Sequence, residues 1–259
     1  MPARHNVSPQ TPVQTDAHFI CPEESEFFAL CIEHFIFQTP QPETIVEFGS
    51  GDGGPVLHAL QRAFFSGTVY GYEINPLSAA LAQTKIAAAG QTARYQVTNT
   101  SFFTAAPVRG QESVLIANPP YIPAPEAQHL RMPELWGGPD GADVLRRLFD
   151  THCNTLLLLL PSIANPVAVL EYGLQQGYHI QNYLLTTLPF GQYTSQSYVQ
   201  RHLQTLRRDH CAFYFPDHYS LAGVLWKREP GALDSDRKRG LLSGLTAGQA
   251  CGGKDIFSN

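Results

Sequence analysis

Residues 44–54 have the sequence TIVEFGSGDGG, and this stretch decides the fold class of the 259-residue chain. Residues 45–48 are β-branched or apolar apart from one acid, which predicts a short buried strand. The four glycines that follow within six positions predict a tight loop with no Cβ in the way of a ligand. After Pro55, apolar residues recur at helical spacing. Strand, glycine loop and helix in this order predict the ligand-binding opening of a doubly wound α/β sheet.

The glycine loop is compatible with two cofactors. Gly49, Gly51 and Gly54 satisfy the GxGxxG fingerprint of dinucleotide-binding proteins, and Glu73 lies at a suitable distance downstream to hold ribose hydroxyls. The loop also suits S-adenosylmethionine, because Glu47 adds an acid at the end of the strand. A carboxylate attracts the cationic sulfonium and ammonium groups of that cofactor and repels a pyrophosphate. The loop alone leaves both cofactors open, and also a glycine-rich turn that binds nothing.

The overall composition excludes several classes of function. A net charge of −5 argues against broad nucleic-acid binding, which needs concentrated Lys and Arg. The five cysteines form no CxxC pair and no zinc-ligand spacing, so we expect reduced thiols and no metal site. No apolar run is long enough to span a bilayer, and the N-terminus has no signal-peptide pattern. We therefore expect a cytoplasmic protein that does not act on a membrane.

Apolar periodicity predicts alternating strands and helices across residues 19–228, and this alternation predicts a mainly parallel sheet in one α/β domain. Residues 1–18 are predicted to form an irregular arm. Residues 229–259 are rich in Gly, Ser and charge and are predicted to be a disordered tail. The predicted strands are 45–48, 68–73, 93–98, 113–117, 155–160, 179–188 and 221–227, and the main predicted helices are 23–37, 77–89, 142–154, 167–176 and 195–208.

A second motif, Asn118-Pro119-Pro120-Tyr121, directly follows the fourth predicted strand. The nitrogen of an amide or aromatic amine is a poor nucleophile because its lone pair is delocalised. Two oxygen acceptors on one side of such a nitrogen, here the Asn118 side chain and the Pro119 carbonyl, would aim its lone pair at a methyl donor. The prolines fix the backbone, and Tyr121 could stack on a flat substrate group. The alternative interpretation is a strand that ends in a diproline turn.

Three segments carry a resemblance to a known family. Residues 19–26 echo an FxPRPETE pattern, residues 118–123 read NPPYIP, and residues 137–148 read GGPDGADVLRRL. Together they cover roughly residues 19–150 and resemble class I S-adenosylmethionine-dependent methyltransferases of the NPPY type. Among these the chain looks most like the HemK-type glutamine methyltransferases, which methylate the side-chain amide in the GGQ loop of peptide-release factors.

The resemblance implies a Rossmann-like seven-stranded sheet, mostly parallel, with an antiparallel last strand and helices on both faces. It also implies S-adenosylmethionine as cofactor, with S-adenosylhomocysteine as product and no metal. Glu73 would hold the ribose diol, and Asn118 would border the transferred methyl group. The residues implied to bind the cofactor are Phe19, Glu47, Gly49, Ser50, Gly51, Gly53, Glu73, Ser101, Phe102 and Asn118.

The chain also departs from the family. Pro22 stands where the family has arginine, and Ser101 stands where the family has an acid. The 44 residues before the first predicted strand are too few for the family's helical recognition domain, so we expect other segments to close the cleft. The candidates are the loop at residues 122–141, where Trp136 is predicted to line the substrate pocket, and the insertion at residues 189–217, from which Tyr193 or Tyr198 is predicted to reach the pocket.

The sequence thus predicts an N-methyltransferase that acts on a planar nitrogen of a protein side chain, such as glutamine or asparagine. A small-molecule N-methyltransferase is the alternative acceptor class. An NAD-dependent oxidoreductase and a catalytically inactive cofactor-binding module remain as alternatives of other kinds. We expect no nucleic-acid partner.

Overall fold

The computed structural model describes residues 19–38, 40–105, 114–228 and 235–249. The arm predicted at residues 1–18 lies outside these ranges. The strands are β1 Thr44–Phe48, β2 Thr68–Glu73, β3 Tyr95–Asn99, β4 Val114–Ala117, β5 Thr155–Pro161, β6 His179–Pro189 and β7 His218–Lys227. The α-helices are α1 Pro22–Phe35, α2 Gly54–Arg62, α3 Pro76–Ala88, α4 Phe102–Ala105, α5 Asp143–Phe149, α6 Pro166–Gln175, α7 Ser197–Arg208 and α8 Ser235–Thr246. Short 3₁₀ turns occupy Ala127–His129, Pro133–Leu135 and Ala247–Gln249.

The seven strands form one sheet in the order β3-β2-β1-β4-β5-β7-β6. Strands β1 to β5 pair in parallel, and β7 runs antiparallel to both of its neighbours, β5 and β6. This confirms the predicted Rossmann-like sheet with an antiparallel last strand. The order also differs from the 3-2-1-4-5-6 order of dinucleotide-binding sheets, because β7 is inserted between β5 and β6.

The core has one apolar layer on each face of the sheet. Successive residues of β5 alternate between the layers: Leu157 and Leu159 belong to one, and Leu156 and Leu158 to the other. The first layer includes buried side chains of α1, α2, α3 and α7, and the second includes those of α5, α6 and α8. Both faces of the central strands are therefore covered, as expected for buried parallel strands.

The prediction of a disordered tail is wrong for residues 235–249, because α8 and a 3₁₀ turn form there. Leu241 and Leu245 lie one helical turn apart and are fully buried in the second apolar layer. Gly240 and Gly244 suggested a loop, but they are contact points: a Cβ at Gly240 would meet the Tyr183 hydroxyl at 2.5 Å, and one at Gly244 would overlap Leu185. The glycines let the helix approach β6 closely. Residues 229–234 and 250–259 lie outside the described ranges.

Strand directions place the insertion at the edge of the sheet where a ligand is expected. Strand β7 is antiparallel to both β5 and β6, so β6 runs in the same direction as β1, β4 and β5. The insertion leaves the carboxyl end of β6 at Pro189 and returns at His218, which pairs with Pro189. It therefore begins and ends at the edge formed by the carboxyl ends of the parallel strands, where ligands bind in such sheets.

Candidate active site

The glycine loop joins β1 to α2, and its conformation depends on glycine. Gly49, Gly51 and Gly53 have φ values of 66°, 55° and 75°, in the left-handed region that side chains disfavour. A Cβ on Gly49 or Gly51 would have no described atom within 4 Å, so this face of the loop is open. The loop thus forms a cradle in which a ligand can approach the backbone directly, as the sequence predicted.

Glu47 is a buried acid beneath this cradle, with 1% of its surface exposed. Its Oε2 accepts a hydrogen bond of 2.5 Å from the Tyr95 hydroxyl. Burial raises the pKa of Glu47 to about 7, although the hydroxyls of Tyr95 and Ser50 favour its ionised form. The absence of a side chain at Gly71 makes room for these groups, because a Cβ there would overlap Ser50 Oγ and lie 3.1 Å from Glu47 Oε2.

Glu73 ends β2 and holds the loop in place. Its Oε2 accepts a 2.7 Å hydrogen bond from the backbone N–H of Gly51, and its Oε1 accepts one of 2.7 Å from the N–H of Asn75. Burial raises the pKa of Glu73, and these backbone donors oppose that shift. The side chain is 8% exposed, so the acid lies beside the cradle. Ribose binding by Glu73 stays a prediction.

Ser101 and Phe102, two of the residues predicted to bind the cofactor, follow β3. Ser101 is half-buried, and its carbonyl accepts from the backbone N–H groups of Thr104 and Ala105, so it begins the short helix α4. Phe102 is 5% exposed and contacts Phe48 edge-to-face at 5.4 Å between ring centroids. Phe103 is half-buried, and the Arg147 guanidinium lies over its ring, with 3.6 Å between Arg147 Cζ and the ring centroid. The structure therefore assigns Phe102 mainly to packing and leaves more of Phe103 accessible.

Asn118 lies at the level of the glycine loop. Phe48 of β1 pairs with Ala117 of β4, so Gly49 and Asn118 are the next residues on two adjacent parallel strands. The Asn118 residue is half-buried, yet its side-chain Oδ1 is buried and has no hydrogen-bond partner among the described residues. An unsatisfied buried acceptor costs free energy unless a ligand supplies a donor. Pro119 is buried and Pro120 is half-buried. The rings of these two prolines restrict the backbone that directly follows Asn118.

Tyr121 is placed differently from the predicted stacking position. Its side chain is 6% exposed and belongs to the first apolar layer. Its hydroxyl donates to Glu24 Oε2 at 2.8 Å and lies 2.9 Å from the hydroxyl of Tyr219. Little of the ring is therefore open to a substrate, and Tyr121 instead connects the motif to α1 and β7.

Glu24 is a buried residue of this site that the sequence analysis missed. It lies in the first turn of α1 and is 1% exposed. A signal was present, because Glu24 precedes Phe27, Phe28 and Cys31 at helical spacing and therefore falls on the buried face of α1. The neighbouring acids at positions 23 and 26 are exposed and obscured this pattern.

The glycines after the motif bring residues 137–141 back against Tyr121. A Cβ on Gly137 would lie 2.6 Å from the Tyr121 Cα, and one on Gly141 would lie 2.6 Å from the Tyr121 carbonyl oxygen. Within this loop the indole N–H of Trp136 donates to the Ala124 carbonyl at 2.8 Å, and Trp136 bridges to Ile122. Trp136 therefore stabilises the loop itself, and its role as a pocket residue stays a prediction.

An ion pair holds the same loop to α5. Arg146 contacts Asp140 Oδ2 at 2.5 Å and Asp143 Oδ1 at 3.0 Å, and Asn165 donates to Asp140 Oδ2 at 2.7 Å. Burial opposes ionisation of Asp140, but the hydrogen bonds from Arg146 and Asn165 outweigh it and lower its pKa. This accounts for the acids and the first arginine of the GGPDGxDxxRRL pattern as supports of the loop.

The insertion packs on both neighbouring segments. The Tyr193 ring lies 5.5 Å from the Phe19 ring, and its hydroxyl accepts from the Ile20 N–H at 3.4 Å. The Tyr198 ring contacts His129 of the loop that follows the NPPY motif, with 4.9 Å between the ring centroids. The contact between insertion and loop is extended by hydrogen bonds from Arg131 N to Gln196 Oε1 (2.7 Å) and between His202 Nε2 and the Pro139 carbonyl (2.6 Å).

Across residues 19–38, 40–105, 114–228 and 235–249, no group of three or more His, Cys, Asp or Glu side chains is arranged to hold a metal ion. In the same ranges no helix is long and apolar enough to cross a membrane.

Comparison with known proteins identifies the fold. No protein-family model and no curated protein sequence matches the chain. The chain is similar to the crystal structure of a proposed RNA methyltransferase from Pyrococcus horikoshii, with 10% identity and a TM-score of 0.52 over 87% of this chain and 92% of that one. A ribosomal protein L11 methylase from Lactobacillus delbrueckii subsp. bulgaricus has 15% identity and a TM-score of 0.49 over 82% and 81%.

A further match is the Mtq2–Trm112 complex of E. cuniculi, which is described as methylating the eRF1 termination factor; it has 17% identity and a TM-score of 0.45 over 81% of this chain and 99% of that one. Together with the strand order, the first of these matches shows that the chain has the Rossmann-like fold of methyltransferases.

Proposed function

We propose that the protein is an S-adenosylmethionine-dependent N-methyltransferase of the HemK-like NPPY type, acting on a planar amide or amine nitrogen. The observation that carries this proposal is the buried, unpartnered Oδ1 of Asn118 at the carboxyl end of β4, level with the open glycine loop. A protein keeps such an acceptor where a ligand supplies the missing hydrogen-bond donor.

The cradle at the end of β1 suits the proposed cofactor. When bound, S-adenosylmethionine supplies an electrophilic methyl group on a cationic sulfonium. Gly49 and Gly51 would let the cofactor lie directly against the backbone of the loop, because a Cβ on either residue would have no described atom within 4 Å. Ser50 and Gly53 belong to the same loop and would support it from within, since Ser50 is buried and Gly53 lies close to Ala82 and Tyr95. The buried acid Glu47 beneath the loop favours a cation over a pyrophosphate.

The reaction as proposed depends on positioning by Asn118 and Pro119. The Asn118 Oδ1 accepts one N–H of the acceptor nitrogen and the Pro119 carbonyl accepts a second. Two acceptors on one side favour a pyramidal nitrogen whose lone pair faces the methyl donor, and preorganised dipoles of this kind lower the barrier most when water is excluded. The proton that the methylated nitrogen no longer holds leaves to solvent.

The acceptor class proposed first is a glutamine or asparagine side chain of a protein, with a small-molecule amine or amide as the alternative. The segments that would select the acceptor are the insertion at residues 189–217 and the loop at residues 122–141, which contact each other through Gln196 and His202. Tyr198 adds a ring contact with His129 of the loop, and Tyr193 joins the insertion to Phe19, so we propose that the two segments form a common cover over the site.

The proposal is tested by incubating the purified protein with methyl-labelled S-adenosylmethionine and a fractionated lysate, then locating the label. We expect label in protein, in a form resistant to mild base and released as methylamine on strong hydrolysis, as an N-methyl amide requires. Label in RNA or in small molecules would show that the acceptor is not a protein side chain. Tight cofactor binding without any methyl transfer would indicate an inactive cofactor-binding module.

A substitution assigns the chemistry to the proposed residue. Asn118→Ala removes the unpartnered Oδ1 and should reduce the rate of methyl transfer about 100-fold or more. The affinity for S-adenosylhomocysteine should stay within a few-fold of the wild-type value. Asn182→Ala is the matched control, because Asn182 is exposed on the edge strand β6, three strands from β4. Equal methyl-transfer activity in both variants would show that Asn118 takes no part in the reaction.

A further inference from the structure

The insertion carries a concentration of positive charge in a chain that is negative overall. The net charge of the protein is −5, yet no Asp or Glu occurs between Glu171 and Asp209. The arginines of that interval all lie on α7, and they are Arg201, Arg207 and Arg208. Cations in the last turn stabilise a helix through its dipole, but Arg201 is only the fifth residue of α7. The charge therefore calls for an explanation beyond helix stability.

The side chains of α7 fall on three faces, because successive residues of an α-helix are rotated by about 100°. One face is apolar and buried, and consists of Val199, Leu203 and Leu206. The next face contacts the loop at residues 122–141 through Tyr198 and His202. The remaining face, termed the outer face of α7, carries Gln200, Arg201, Gln204, Arg207 and Arg208. Every charged side chain on the outer face is therefore an arginine.

The outer face of α7 forms one wall of a groove of about 760 Å³. The other wall belongs to the segment that returns to β7. The residues that line the groove are Gln200, Gln204, Arg207, Arg208, Tyr214 and Pro216, and within the described part of the chain none of them is acidic. The returning segment reaches His218 at the carboxyl ends of the parallel strands, so the groove lies toward the edge of the sheet that carries the proposed active site.

The two arginines of the groove are held in place by contacts that leave their charge uncompensated. Arg207 donates to the Gly248 carbonyl at 3.0 Å, and its Cζ lies 4.7 Å from the centroid of the Tyr214 ring. Arg208 donates to two oxygens of its own helix, at 3.3 Å and 3.2 Å. None of these partners is a carboxylate. A guanidinium has five N–H donors, so both side chains keep donors for a further ligand.

We propose that the groove and the outer face of α7 form a docking surface for an acidic segment of the protein that accepts the methyl group. This inference rests on the proposed function and adds a way of selecting the acceptor at a distance from the reacting nitrogen. Carboxylates match the planar donor fork of arginine, and a guanidinium that already lies over an aromatic ring loses less freedom when it binds one. The absence of acids between Glu171 and Asp209 means that few local charges would repel such a segment.

The lining of the groove favours an acidic protein segment over a nucleic acid. Single-stranded nucleic acids bind where exposed aromatic rings stack on the bases and many cations track the phosphates. The aromatic ring of this groove, Tyr214, is only 7% exposed and is covered by Arg207. Three arginines on one helix suffice for a short run of carboxylates but neutralise few phosphates.

Fluorescence anisotropy of the full chain with fluorescein-labelled hexaglutamate tests the surface without an acceptor. We expect saturable binding at low salt that weakens as the salt concentration is raised. Arg208→Gln should weaken binding about fivefold, as for the loss of one exposed ion pair, and its contacts within its own helix make it unlike Arg207 in having no distant partner to disturb. The matched control is Arg228→Gln, because Arg228 is exposed, lies over the Tyr178 ring and follows β7 at the opposite edge of the sheet.

Equal hexaglutamate affinity in the wild type, Arg208→Gln and Arg228→Gln would overturn the inference. Labelled oligouridine that binds more tightly than hexaglutamate and is released by Arg208→Gln would also overturn it, and would make the groove a nucleic-acid surface.

Kinetics connect the surface to the acceptor. With the protein fraction that takes up methyl label, Arg208→Gln should raise KM for the acceptor about fivefold and leave kcat and S-adenosylhomocysteine affinity unchanged. An unchanged KM would show that the methyl acceptor does not dock in the groove, and would overturn that assignment while methyl transfer stands. If hexaglutamate binds as expected but no methyl group enters protein, the proposed function fails and the groove binds an acidic partner other than a methyl acceptor.

Discussion

The pH dependence of cofactor binding follows from the burial of Glu47. Its pKa is raised to about 7, and only its ionised form attracts the cationic ammonium of S-adenosylhomocysteine. Between pH 8 and pH 5 the ionised fraction falls from about 0.9 to about 0.01, so affinity should fall roughly 90-fold, or about 2.7 kcal/mol. A glutamate with an ordinary pKa would lose less than about 1.5-fold over the same range.

The same group predicts the opposite trend for the free protein. The folded-state pKa of Glu47 lies above its unfolded value, so its contribution to stability is present below the unfolded pKa and is lost as pH rises through about 7. This amounts to at most about 3 kcal/mol between pH 4 and pH 8. Affinity should therefore increase with pH while the stability contribution from this site decreases.

Calorimetric titration with S-adenosylhomocysteine at pH 5, 6, 7 and 8 measures the first trend, and denaturant unfolding of the free protein measures the second. Glu47→Gln should abolish the pH dependence of affinity, and Glu43→Gln should retain it because Glu43 is exposed. Tyr95→Phe removes the donor to Glu47 and should move the transition to higher pH. A wild-type affinity that changes less than twofold between pH 5 and pH 8 would refute the assignment of Glu47 to the cofactor.

Three further variants test the scaffold and the cover. Gly71→Ala introduces a Cβ that overlaps Ser50 and should destabilise the protein by about 1–3 kcal/mol, whereas Gly191→Ala, with no described atom within 4 Å of the added Cβ, should be near neutral in thermal unfolding. Leu245→Ala should lower the free energy of unfolding by about 2–5 kcal/mol if α8 is part of the core, whereas Ser243→Ala, at an exposed position, should change it little. Equal melting temperatures of the two variants would mean that this segment does not pack on the core. Gln196→Ala removes a hydrogen bond between the insertion and the loop at residues 122–141. It should lower kcat/KM for the acceptor and leave cofactor affinity unchanged. An unchanged kcat/KM would mean that the insertion does not cover the site.

Most of the fold was predictable because local signals were strong. Strand β2 has the predicted bounds, Thr68–Glu73, and β1 differs from its predicted range by one residue. Where bounds differ, tertiary contacts decide: β7 begins at His218, three residues before the predicted start, because its pairing with β6 extends to Pro189. The predicted helix over 142–154 ends at Phe149, where positions 150–154 turn into β5 and His152 has a φ of 56°.

The errors and omissions concern residues whose role depends on distant partners. Gly240 and Gly244 indicate flexibility locally, but in the structure they allow α8 to contact Tyr183 and Leu185. Tyr121 was expected to face a substrate, yet the contact that fixes its hydroxyl comes from Glu24, 97 positions earlier in the chain. Such pairings are set by the packing of α1 against the sheet, where it contacts β5, β6 and β7, and they are invisible to local patterns.

Titration of the full chain with S-adenosylhomocysteine and, separately, with NAD decides which cofactor the site takes, because both ligands suit a glycine loop after a first strand. An S-adenosylmethionine-dependent enzyme should show saturable one-to-one binding of S-adenosylhomocysteine at pH 8 and no measurable heat of binding with NAD. Binding of NAD without binding of S-adenosylhomocysteine would instead make the protein a dinucleotide-binding one and rule out the proposed methyl transfer.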